Sequence, residues 1–224
     1  MMNIILVSFL LFMTANISIS CATRRSIDLP RQSIEGYLAT TKKASTMAAQ
    51  EKSRKLKREQ ALMGIEAANR CVKTSPKMTA CYYYRAINTG LYHEAHIIGY
   101  QKGVTSMIAD CEHVIALDRS YDHAGAYRIL GQLYTKLPQT TTTATGVTRD
   151  LDKAKTVLFE AVTIAPHYPE NHLFLVETLI ARDEIDEAKK QLRLAKQLTQ
   201  DFRHDESYAQ WSTLIKMFER KLHQ

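Results

Sequence analysis

The stretch from Tyr127 to Pro166 restricts the possible folds of this chain more than any other. It reads Tyr127-x2-Leu130-Gly131-x2-Tyr134, then a threonine-rich polar insertion over residues 138–149, then Ala154, Ala161 and Pro166. Residues three and four apart share one face of a helix, so the first four form a single stripe with glycine at its centre. Ala154 and Ala161 share a face of a second helix. Small residues let two helices approach, large ones fill the gaps between them, and Pro166 stops the second helix. The pattern then recurs. Ala188 follows Ala154 by 34 positions and Ala195 follows Ala161 by 34, with His172, Leu175, Val176 and Leu179 on the preceding first helix. In this second copy Val176 replaces the small residue and Gln200 the proline.

A helix pair of ~34 residues with W-x2-L-G-x2-Y on its first helix and spaced alanines and a proline on its second is the tetratricopeptide repeat (TPR) pattern, which both segments resemble. The clearest copies span 124–168 and 169–202. An imperfect third follows Pro76, where Tyr82 takes the place of Tyr127 and Ala86 that of Gly131. Thr79 is the expected N-cap of its first helix, and residues 104–117 form its second. Leu62, Ile65, Ala68 and Val72 recur at helical spacing before Pro76, so one or two helices fit residues 33–74. Trp211, Leu214, Ile215, Phe218 and Leu222 make an apolar stripe suited to a helix that covers the last open face of an array. Glycine and proline number only 8 and 5 of 224. The expected fold is all-α: TPR-like antiparallel helix pairs stacked in a right-handed superhelical array with a C-terminal capping helix.

Residues 4–13 (IILVSFLLFM) are too short an apolar run to span a bilayer, which needs ~20 residues, but suit the core of a signal peptide. Ser18-Ile19-Ser20-Cys21 resembles the lipobox of bacterial lipoproteins. That assigns residues 1–20 to a signal peptide, Cys21 to lipidation, 21–32 to a tether and 33–224 to the helical domain. Ala22 after the cysteine resembles the outer-membrane sorting pattern. The alternative is an ordinary cleaved signal with a cysteine near it. Lys plus Arg is 30 against Asp plus Glu 23, and five of the basic residues fall between Lys52 and Arg58. No aromatic residues interleave with that run, so a solvated helix face is expected and no nucleic acid is expected as a partner.

Cys71 and Cys81 close two helices across the Pro76 turn and are the favoured disulfide pair in an oxidising compartment. The other reading is three buried thiols at Cys71, Cys81 and Cys111. His93 and His96 lie three apart, whereas the zincin motif needs four with a Glu between them. No metal, cofactor or catalytic residue is expected, and none of the nucleophile-elbow, phosphate-loop or dinucleotide motifs occurs.

These features together resemble the T-component family of tripartite ATP-independent periplasmic (TRAP) transporter systems. The resemblance rests on the signal-plus-Cys21 start, Cys71 to Tyr84 around Pro76, the Tyr127–Tyr134 helix, and the Lys153–Pro166 segment with Asn171–Leu179. It implies a non-enzymatic, homo-oligomeric lipoprotein on the periplasmic face of the outer membrane. Such a protein docks a solute-binding partner and has a groove or pore for an apolar ligand. It also implies a loop within the repeat, here residues 138–149, expected at the tip of a helix pair, polar and accessible. The alternative is a structural lipoprotein that scaffolds envelope proteins and takes no small ligand. Tyr82 to Tyr84 and Tyr127 are the aromatic residues expected on the inner face.

Overall fold

The computed structural model describes residues 29–141 and 146–223. The expected signal peptide, Cys21 and most of the expected tether lie outside the described residues. Four antiparallel helix pairs follow one another: α1 (Ile34–Gln50) with α2 (Arg54–Thr74), α3 (Thr79–Ala95) with α4 (Tyr100–Leu117), α5 (Tyr121–Lys136) with α6 (Leu151–Ile164), and α7 (Pro169–Ala181) with α8 (Ile185–Thr199). A 3-10 turn, Gln200–Phe202, leads to α9 (Tyr208–Leu222), which lies on α7 and α8. The first helices of successive pairs also touch, α1 on α3, α3 on α5 and α5 on α7. No described residue lies in a strand.

Local signals explain the helix ends. Ser33, Ser53 and Asp150 accept backbone N–H groups at the starts of α1, α2 and α6, and Pro169 opens α7 where a missing N–H costs nothing. Thr79 does not act as a cap. It is the first residue of α3, and Met78 precedes the helix without a side-chain bond. The second helix of that pair starts at Tyr100, four residues before the expected 104, because left-handed Gly99 supplies the turn. Where Gln200 replaces proline nothing stops α8, and the chain tightens into the 3-10 turn.

The small residues sit where helices meet. Ala154, Ala161, Ala188 and Ala195 are fully buried, and a Cβ on Gly131 would lie 2.3 Å from Leu158 Cγ. Leu130, Tyr134, Leu175 and Leu179 are buried around them, and Trp211, Phe218 and Ile215 of α9 complete the C-terminal core. Pro166 lies exposed in the turn after α6, where its carbonyl accepts a bond from His172 Nε2 at 2.8 Å. Tyr82 Oη donates to the Pro76 carbonyl at 3.0 Å in the same manner, so the two repeats reuse one contact.

Cys71 at the end of α2 and Cys81 near the start of α3 form a disulfide across the Pro76 turn, with Cα atoms 5.7 Å apart, while Cys111 is a buried free thiol. Burial pushes the Cys111 thiol well above its ordinary value, with Asp110 and Glu112 adding to the shift.

Two outcomes test this packing. Alanine in place of glycine ordinarily stabilises a helix interior by up to about 1 kcal/mol. Gly131→Ala is instead expected to lose about 1–3 kcal/mol in urea unfolding, because the added methyl meets Leu158. Cys71→Ser with Cys81→Ser is expected to lose about 2–3 kcal/mol, the chain-entropy value for so short a loop. Reduction of the denatured wild type, but not of this double variant, should release two further thiols.

Candidate functional site: an apolar groove with a charged floor

The first helices of the middle and last pairs leave a groove of about 860 Å³ on their shared face. Its walls are apolar, built from Ile87 and Leu91 of α3, Ile129 and Leu133 of α5 and Phe174 of α7, with Val104 and Met107 closing the α4 side. The size lies within the range of small-molecule sites, which are mostly apolar with a few placed polar groups. Tyr83, Arg128 and Glu170 form its polar floor, and the lining also includes Glu94 and Lys136, which pair with Lys57 and Glu177.

Arg128 is the centre of that floor, its side chain only 4 % exposed. Nη2 meets Asp122 Oδ2 at 2.6 Å and Nε meets Glu170 Oε2 at 3.0 Å. Nη1 donates to the carbonyls of Asp122 and His123, both at 2.8 Å, and to Asn171 Oδ1 at 3.2 Å. The guanidinium lies 4.7 Å from the Tyr168 ring centroid. Burial disfavours its charge, but the surrounding Tyr83, Glu170 and Asp122 outweigh that cost and hold its pKa above the ordinary value. Tyr83 Oη donates to Asp122 Oδ2, and Trp211 Nε1 of α9 donates to Glu170 Oε1 at 3.4 Å. One polar chain thus joins α3, α5, α7 and α9.

The carbonyls that Arg128 holds belong to a left-handed turn. Asp122, His123 and Ala124 all have positive φ (50°, 55° and 66°), a conformation that costs a non-glycine residue about 1–2 kcal/mol. The repeat register explains it. Ala86 follows Pro76 by ten positions and Val176 follows Pro166 by ten, but Gly131 follows the corresponding turn residue, Arg119, by twelve. The same i to i+3 turn bond marks all three places (Met78 to Ser75, Tyr121 to Asp118, Tyr168 to Ala165). Two extra residues are absorbed by winding the entry to α5 the other way. Asn171 Nδ2 also donates to the His123 carbonyl, and the His123 ring stacks on Tyr168 at 4.2 Å. The Tyr83 phenol reaches this turn because Gly125 has no side chain; a Cβ there would sit 2.5 Å from Tyr83 Oη.

Among the residues expected on the inner face, only Tyr83 lines the groove. Tyr82 packs in the core with its ring stacked on His113, Tyr84 lies beside Lys42, and Tyr127 is half-buried outside the groove. The described parts of the loop over 138–149 differ from each other. Residues 138–140 are exposed, but Val147 pairs with the Gln101 side chain of α4 through both its N–H (2.9 Å) and its carbonyl (3.0 Å). Val147 also packs against the central core, so this limb braces α4 against α5. His93 Nδ1 lies 3.0 Å from the His96 carbonyl, and no group of three potential metal ligands occurs among the described residues. Arg128 itself gave a sequence signal that was not read. It stands on the same helix face as Ala124, Gly131 and Thr135, where a charge has no place without partners.

The tetratricopeptide repeat family model matches residues 148–210, from the end of the loop through α8 and into α9. Over that segment the chain is similar to TPR repeats, and its helical pairs follow a TPR-like arrangement. The match includes one complete pair, α7–α8, and the earlier pairs carry the same architecture with altered small-residue positions. No curated protein matches the chain. TPR repeats are typically non-catalytic protein-interaction modules, and the groove lies where successive first helices meet, the surface such arrays use for binding.

Arg128→Met leaves Asp122, Glu170 and two carbonyls without their partner, and an unfolding loss of about 3–5 kcal/mol is expected. Burial raises the Tyr83 pKa well above the ordinary value, and it pushes Tyr121 up to about 12. A phenol held neutral in the fold but free to ionise in the unfolded chain contributes stability below pH ~10 that is lost as pH rises further. Chemical denaturation should therefore show stability falling above pH 10, with a shallower fall in Tyr83→Phe.

Proposed function

We propose that this protein is a non-enzymatic periplasmic lipoprotein that docks a solute-binding partner of a TRAP-type transporter and holds a small apolar ligand in its groove. The observation that carries the reading is the groove itself: about 860 Å³, apolar on its walls, with its floor charges already paired to one another. A floor of that kind offers no unpaired charge to an ionic solute, so an uncharged or largely apolar ligand fits best. The sequence of residues 1–21 and the Cys71–Cys81 disulfide support export and lipid anchoring at Cys21, with the outer membrane as destination. The TPR-type fold supports docking of another protein.

Leu91 and Leu133 line the groove and take no part in the core clusters, so a change at Leu133 tests the site without unfolding the chain. The protein purified from its native envelope is expected to release an apolar molecule into organic solvent, identified by mass spectrometry. Leu133→Arg should release at least tenfold less at an unchanged melting temperature. Titration with a TRAP-type solute-binding protein of the same organism should give saturable binding. An empty groove and no binding to that protein would leave the structural-scaffold reading in its place.

A further inference from the structure

We infer that the end of the molecule formed by the α1–α2 turn and the α3–α4 connection is a docking surface for an anionic lipid bilayer. The two connections lie side by side. Lys57 Nζ near the start of α2 meets Glu94 Oε1 at the end of α3 at 2.9 Å, and Ile98 and Gly99 share a cavity wall with Leu62 and Ile65 of α2.

Two properties coincide at this end. First, it gathers apolar side chains that nothing covers. Of the seven large apolar residues exposed among the described residues, four are here: Met47, Leu56, Ile97 and Ile98, the last two 74 % and 75 % exposed. Ile97 and Ile98 stand at a connection turned by left-handed Gly99, Ile97 on the lining of the apolar groove and Ile98 beside Leu62 and Ile65, yet both keep most of their surface in solvent. Second, positive charge surrounds them. Residues 51–59 hold five basic side chains against Glu51 and Glu59. Lys57 is spent on Glu94, but Lys52, Arg54, Lys55 and Arg58 form no ion pair among the described residues, and Lys102 lies beside Ile98.

Apolar side chains that protrude within a ring of Lys and Arg match the layered chemistry of an anionic bilayer. The apolar tips enter the headgroup–acyl boundary and the cations remain at the phosphate level. An acidic protein segment would meet the charge, but two isoleucines about three-quarters exposed gain more from entering an acyl layer than from an acidic chain. The surface adjoins the groove at Glu94 and Ile97, but the inference does not depend on the transporter reading.

Co-sedimentation of the full chain with phosphatidylcholine vesicles, and with vesicles containing 30 % phosphatidylglycerol, tests it. The probes are K52Q/R54Q/K55Q/R58Q and I97S/I98S, each checked for helix content by circular dichroism. Every variant retains residues 1–28, so any binding by that stretch is common to all. The wild type is expected to prefer the anionic vesicles. The glutamine variant should lose at least tenfold of that preference, since each basic residue near the surface contributes roughly fivefold. The serine variant should bind the anionic vesicles at least threefold less tightly. A glutamine variant whose preference stays within twofold of wild type overturns the inference. So does loss of binding to an acidic peptide such as polyglutamate with vesicle binding unchanged, which would make this an acidic-protein surface.

Discussion

The arrangement of this array turns on one buried cation. Arg128 holds Asp122 and Glu170, two backbone carbonyls and Asn171 from a single guanidinium, and its contacts extend to Tyr83 on α3 and to Trp211 on α9. A planar group with five N–H donors serves such a set of acceptors; a lysine ammonium could not. Left unpaired in that position the charge would be strongly destabilising. Paired on every side, it ties together four helices, of which α5 and α7 are also joined by Gln132–Glu177, Thr135–Thr178 and Lys136–Glu177.

The strained turn and the groove are consequences of that fixation. Three consecutive left-handed residues persist only where the surroundings over-determine them. Arg128 and Asn171 do so by binding the carbonyls that the turn exposes, and His123 adds a stack on Tyr168. The turn in turn sets where α5 enters, and therefore the gap between α3 and α7 that forms the groove. Alanines at the α5–α6 and α7–α8 contacts let those pairs close tightly, while the spacing between pairs is governed by side chains at the floor. The apolar walls thus belong to the stacking of first helices, and the polar chain beneath them decides its geometry.

Much of the architecture was legible in the chain because helix contacts obey period and size. The Ala154/Ala188 and Ala161/Ala195 spacing located the last two pairs, and the Trp211–Leu222 stripe located the cap. The first pair had an equally clear sign that went unread: Gly64 and Cys71 precede Pro76 by twelve and five positions, as Ala154 and Ala161 precede Pro166. A Cβ on Gly64 would lie 2.2 Å from Asn88 Oδ1, so the position needs a small residue for the same reason. The groove was less legible. Its aromatic lining depended on which side of α3 and α5 faces inward, and the two-residue excess after Arg119 changes how α5 is entered without altering its apolar pattern. The loop's return limb was read from its threonines as a solvated tip, whereas one glutamine on α4, 46 residues distant from Val147, binds it down.

The claim that one polar chain governs the stacking is tested most directly by a double-mutant cycle between its separated ends. Tyr83→Phe on α3 and Glu170→Gln on α7 touch different partners and meet only through Asp122 and Arg128. Unfolding free energies of wild type, both single variants and the double variant should give a coupling of about 0.5–3 kcal/mol, as for residues of one network. Additivity within about 0.3 kcal/mol would mean that Tyr83 and Glu170 act independently, and that no single polar chain governs the stacking.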